Sequence, residues 1–196
     1  MERSPRGRTG VAGCRGGVEG GGECGADAGE MDVRGRTPLY FAARYNGNPE
    51  VVRVLLDLGT DIENRNDRGR TLLHYAAWSN NSEVAQVLLD AGADTATVDN
   101  EGLTPFHFAA LNMNSLPLLL LLERGVDIEA KDNVGRTPLH YAAQYSEFPS
   151  TLLVLLDTGA DTTAVDNEGR TPLDVAREFG NATAIAVLEE AGTPID

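Results

Sequence analysis

Past Cys24 the sequence contains no cysteine, so no disulfide can staple most of the chain together. Cys14 and Cys24 lie in a segment with no histidine or further cysteine that could complete a zinc site. Residues 1–30 also lack leucine, isoleucine and aromatic side chains, yet hold ten of the 22 glycines. Such a stretch has almost nothing to bury and is expected to be a disordered, glycine-rich tail. It lacks the unbroken apolar core of a signal peptide. Its Arg3, Arg6, Arg8 and Arg15 are outnumbered by Glu2, Glu19, Glu23, Asp27 and Glu30, which argues against an RNA-binding tail. Met31 stands directly before the first regular unit, which makes it a candidate natural start, with the tail then an upstream read-through.

Positive charge is scarce as well. From Met31 onward 12 basic residues face 25 acidic ones, a net charge of −13. That balance repels phosphate backbones and anionic membrane surfaces, so neither nucleic acid nor a membrane is an expected partner. The longest apolar run, Leu116 to Leu122, is far short of the roughly 20 residues a spanning helix needs. A soluble, reducing, cytoplasmic setting fits these absences.

What the chain has is a phrase written five times. Thr37-Pro38-Leu39-Tyr40-Phe41-Ala42-Ala43 is followed by Thr71-Leu72-Leu73-His74-Tyr75-Ala76-Ala77 and Thr104-Pro105-Phe106-His107-Phe108-Ala109-Ala110. Thr137-Pro138-Leu139-His140-Tyr141-Ala142-Ala143 and Thr171-Pro172-Leu173-Asp174-Val175-Ala176 complete the set. The opening threonines are 34, 33, 33 and 34 residues apart. A fixed period of that length means a small unit stacked on copies of itself, each burying the apolar face of the next.

Within a unit, Asp99-Asn100-Glu101-Gly102 is turn chemistry, and Thr104-Pro105 opens a helix with a side-chain cap and a proline in the first turn. A second helix through Leu118–Leu122 ends at Gly125, suited to a left-handed cap. Residues 126–130 are expected as a short extended link. The other second helices are expected around 51–56, 84–89, 152–156 and 185–188. One extra residue in the first and fourth units is expected in the mid-unit loop, near Asn46-Gly47 and Ser146-Glu147.

These residues resemble the ankyrin repeat, over about residues 32–193. The resemblance rests on the Thr-Pro-Leu-His phrase, the paired alanines, the paired leucines and the Gly-Ala-Asp that follows them. The fold it implies is an all-α solenoid of stacked helix-turn-helix units with short β-hairpin loops. The expected division is a tail over 1–30 and a repeat domain over 31–196, with units at about 32–65, 66–98, 99–131, 132–165 and 166–193. Leu72 departs from the pattern and should loosen the second unit's helix start. Arg177, Glu189 and Glu190 make the last unit read as a cap, whereas Val51, Val52, Val54 and Leu55 give the first unit an interior-type second helix. The resemblance implies a non-catalytic protein-binding module whose partner meets the hairpin tips and the first-helix face on the concave side.

His74, His107 and His140 recur at the repeat period. Stacked units lie about 10 Å apart, whereas zinc needs its nitrogens at about 2 Å, so they cannot share an ion. They are read as ties between successive turns. The periodic aspartates are read as turn caps, because a catalytic acid–base pair needs unlike environments at one site. No nucleophile elbow or phosphate-binding loop is present. No catalytic residue, metal or cofactor is therefore expected. Phe41, Tyr75, Phe108, Tyr141 and Val175 are expected in the core.

A second apolar set follows the alanines: Tyr45, Trp78, Leu111, Tyr145 and Phe179, with Met113 nearby. A solitary solenoid would place polar residues there, so these are the expected anchors for a protein partner. Arg70, Asn100, Arg136 and Arg170, in or beside the turns, are the expected rim selectors. A monomer is expected, although outward leucines in 118–122 could support self-association. The alternative reading is a regulatory inhibitor that occludes an enzyme or toxin active site.

Overall fold

The computed structural model describes residues 29–79, 81–112, 114–145 and 149–192, except the side chains of Tyr45 and Asn46. All but the last two residues of the expected tail lie outside this range. Helices occur in five pairs: α1 (Pro38–Phe41) and α2 (Pro49–Asp57), α3 (Leu72–Trp78) and α4 (Ser82–Asp90), α5 (Pro105–Ala110) and α6 (Leu116–Leu122), α7 (Pro138–Tyr145) and α8 (Pro149–Asp157), α9 (Pro172–Glu178) and α10 (Ala182–Ala191). None reaches the roughly 12–15 residues at which an isolated helix becomes stable in water, so packing between units must hold them. No helix among the described residues is long and apolar enough to cross a membrane.

The first helices pack in an unbroken row from the α1 end through α3, α5 and α7 to α9. Their alanine pairs, from Ala42 and Ala43 to Ala142 and Ala143, are buried and let neighbouring helices approach closely. Leu39, Leu73, Phe106 and Leu139 hold equivalent places in the core, each 1% exposed. Burial of one such side chain stabilises by about 2 kcal/mol. The second helices pack α2 on α4, α4 on α6 and α8 on α10, while α6 and α8 approach each other less closely. Arg124 ties α6 to α4, donating to Leu89 O at 2.7 Å and pairing with Asp90 at 2.7 Å.

The loops between units are tight turns stacked edge to edge. In one of them Asp99 N donates to Leu103 O at 2.9 Å, and Asp99 Oδ1 accepts from Glu101 N and Leu103 N. Successive tips are joined by backbone bonds: Asp67 N to Arg34 O, Asn100 N to Arg68 O, Asn133 N to Glu101 O and Asn167 N to Val134 O. No described residue lies in a β-strand. The link expected to be extended contains a turn at 128–129, where Asp127 Oδ1 accepts from Glu129 N at 2.9 Å.

The structure departs from expectation at Ala42–Asn46 and at Phe41. The extra residue of the first unit does not lengthen the loop. It is absorbed as a π-helical turn over Ala42–Asn46, closed by Gly47 N donating to Ala42 O at 3.1 Å. With Leu72 in place of proline, α3 still begins in register with its neighbours, and the Leu72 side chain is buried where prolines stand elsewhere. Phe41 is not a core residue. It is 39% exposed, with the Arg36 guanidinium 4.9 Å from its ring centre. Phe108 and Val175 are buried as expected, whereas Tyr75 and Tyr141 are half-buried. Leu119 faces outward, as expected for part of the stretch 118–122, and so does Leu116 just before that stretch.

Candidate partner-binding surface

The three histidines build the frame of the first-helix face. Thr71 N donates to His74 Nδ1 at 3.1 Å, which leaves the proton on Nε2 to reach Leu103 O of the next unit at 3.0 Å. His107 joins Thr104 to Arg136 O, and His140 joins Thr137 to Arg170 O, in the same way. Each ring is 0% exposed and neutral, and burial pulls its proton affinity below the ordinary histidine value, for His74 to about 4. Every ring nitrogen is thereby spent on the stack.

Above this frame Trp78, at the end of α3, and Tyr145, at the end of α7, face each other across α5. They are 47% and 55% exposed. With Leu103, Phe108, Leu111 and Tyr141 they line a groove of about 500 Å³, bordered by Arg70, Arg136 and Glu101. Trp78 is stiffened from the N-terminal side by the Arg44 guanidinium, 5.2 Å from its ring centre. Asn112 Nδ2 holds Trp78 O and Ser79 O at 3.0 Å, which fixes the helix end that carries the indole.

The residues expected to select at the rim differ in what they are free to do. Arg70 donates through Nε to the buried Asp99 at 2.9 Å, and its guanidinium lies 4.7 Å from the Phe108 ring centre, so it is packed into the groove wall. Arg136 lines the opposite wall, donating to Gln144 Oε1 at 3.0 Å and lying 3.6 Å from Asp166 Oδ2. Arg170 is held in a carboxylate cluster with Asp166, Glu168 and Glu178, away from the groove. Burial works against the charge of Asp166, but Arg170's backbone and side-chain donors outweigh it and bring its pKa to about 2. Asn100 sits at a hairpin tip with its amide donating to Asp67 O at 3.1 Å, one rung of a ladder continued by Asn133 and Asn167.

The geometry thus gathers Arg70, Trp78, Leu111, Arg136 and Tyr145 around one groove and leaves Asn100 and Arg170 outside it. Phe179 is half exposed at the end of α9, beyond the groove. Met113 and the Tyr45 side chain lie outside the described residues. Leu103, the groove's floor, is not among the expected anchors. Its signal is a break in a row: Arg36, Arg70, Arg136 and Arg170 each precede the opening threonine, and the third unit has leucine there. Tyr141 was expected only as core, but its hydroxyl donates to Asp132 Oδ2 at 2.6 Å from the groove wall. Burial, then this hydrogen bond, raise the pKa of the phenol.

A family model described as "Ankyrin repeats (3 copies)" matches residues 21–99 and 106–196. No curated protein matches the chain.

Proposed function

The chain belongs to the ankyrin-repeat family, and from that premise we propose that its first-helix face captures a segment of a protein partner without catalysis. Ankyrin repeats are in general protein–protein interaction modules. The observation that carries the finer reading is the groove itself. Two exposed aromatic side chains and Leu111 converge there above an apolar floor, beside two arginines already placed by their own partners. Large aromatics that frame a preformed hollow are typical binding anchors. The frame beneath them is fixed by buried histidine bonds, so little ordering is required on association.

The test is direct. Trp78→Ala should weaken a protein ligand by about 2 kcal/mol or more while leaving the melting temperature nearly unchanged, since half the indole is already in water. Titration calorimetry against a partner recovered from native lysate reads the affinity. Full binding by a Trp78→Ala, Tyr145→Ala double variant would place the interaction elsewhere.

A further inference from the structure

One arginine in the groove is left short of acceptors. In the first and last units the arginine before the threonine pairs with the aspartate of its own turn, Arg36 with Asp32 and Arg170 with Asp166. Arg70 instead takes the aspartate of the following turn, Asp99, at 2.9 Å. For Arg136 both routes are pre-empted. Its own Asp132 gives Oδ2 to the Tyr141 hydroxyl at 2.6 Å and Oδ1 to backbone amides. The following Asp166 gives Oδ2 to Arg170 through Nε and Nη2 at 3.0 and 2.9 Å, leaving Arg136 at 3.6 Å. Arg136 Nη1 reaches only the neutral Gln144, its buried Nε has no hydrogen-bond partner, and Nη2 makes no hydrogen bond among the described residues. A guanidinium carries five donors in a planar fork and is at its best with a carboxylate.

We infer that Arg136 is the acid-binding point of the groove, and that the segment docking there carries an aspartate or glutamate side chain next to a large apolar one. This deepens, and rests on, the docking reading above. The arrangement is asymmetric: on the Trp78 side Arg70 already donates through Nε to the buried Asp99 carboxylate at 2.9 Å, with Glu101 3.9 Å from its Nη2, so the acid is selected on the Tyr145 side. The apolar neighbour then falls onto Leu103, Phe108 and Leu111, between the two aromatic walls.

A random peptide library displayed on phage and selected against the full chain tests both layers at once, with recovered peptides resynthesised for anisotropy titration. Peptides that need Trp78 should be enriched in Asp or Glu beside Trp, Phe or Leu. Arg136→Gln should weaken them about tenfold or more, the scale of one charge-assisted hydrogen bond. Replacing the peptide's acid by its amide should cost as much with the native chain and little further with Arg136→Gln. Tyr141→Phe offers a second route that leaves the arginine in place. It frees Asp132 to pair with Arg136, as Asp32 does with Arg36, and should also weaken the acidic peptide while sparing its amide analogue. Trp78-dependent peptides without acidic enrichment, or acidic peptides indifferent to both Arg136→Gln and Tyr141→Phe, would overturn the assignment and leave the groove standing. A selection yielding nothing that Trp78→Ala abolishes would overturn the docking reading with it.

Discussion

His74, His107 and His140 each accept at one nitrogen and donate at the other, so protonation removes an acceptor and places a charge in a dry site. Their folded-state affinities for protons are depressed, that of His74 from the usual 6.5 to about 4. The unfolded chain therefore binds protons between those values while the folded chain does not, and stability falls as pH drops through that window. At pH 5 His74 alone should cost roughly 2 kcal/mol relative to neutral pH. Urea titrations at pH 7 and pH 5 measure the loss, and His74→Gln should make it smaller. The paired Asp32 and Asp166, at about 2, keep their contribution until pH falls through 4 and lose it further into acid. The histidine role was legible in the sequence because imidazoles spaced by whole units can each serve only the turn beside them. The fate of the arginines was not. Whether Arg70, Arg136 or Arg170 takes its own aspartate or the next depends on competition with Tyr141 and between arginines, which no local pattern encodes.

At the scale of elements, the hairpin turns bind the stack at its edge, and two glycines separate two effects. Gly92 and Gly102 have nearly equal backbone angles, φ of +89° and +83°. A Cβ on Gly92 would meet nothing within 4 Å, whereas one on Gly102 would lie 2.7 Å from Asn133 N and 2.6 Å from its Oδ1. Gly92→Ala should cost about 1 kcal/mol for the left-handed backbone alone. Gly102→Ala should cost roughly 1–3 kcal/mol more, because it pries apart two tips. Denaturant midpoints of the two variants give the difference. Helix positions were readable from the threonine, proline and glycine punctuation, since those residues act through their own backbone. The π turn at Ala42–Asn46 was not, because an added residue can be housed by a loop or by a wider helical turn with equal local chemistry. The same limit hid the burial of Leu72, whose apolar side chain fills the place held elsewhere by proline.

For the whole molecule, the period alone dictated a row of units, and the family match agrees with it over most of the chain. The two ends of the row differ. At the last unit Arg177 pairs with Glu189 at 2.7 Å across an exposed polar surface. At the first, Val33, Val54 and Leu58 lie largely in water, while Val84 and Leu88 of α4 are fully covered. Amides of α2 should therefore exchange with solvent faster than those of α4, and mass-resolved hydrogen exchange would show protection rising from the first unit into the second. The groove's apolar walls were legible as large residues after each alanine pair, but their gathering around the third unit was not, because it depends on Leu103 replacing an arginine. The looser approach of α6 to α8 has a mechanical corollary. The hairpin rungs and first helices run unbroken past that point, so they act as a leaf spring whose outer layer is slit at one place. Flexure should concentrate there, between the second helices of the third and fourth units, while the first-helix row keeps its shape.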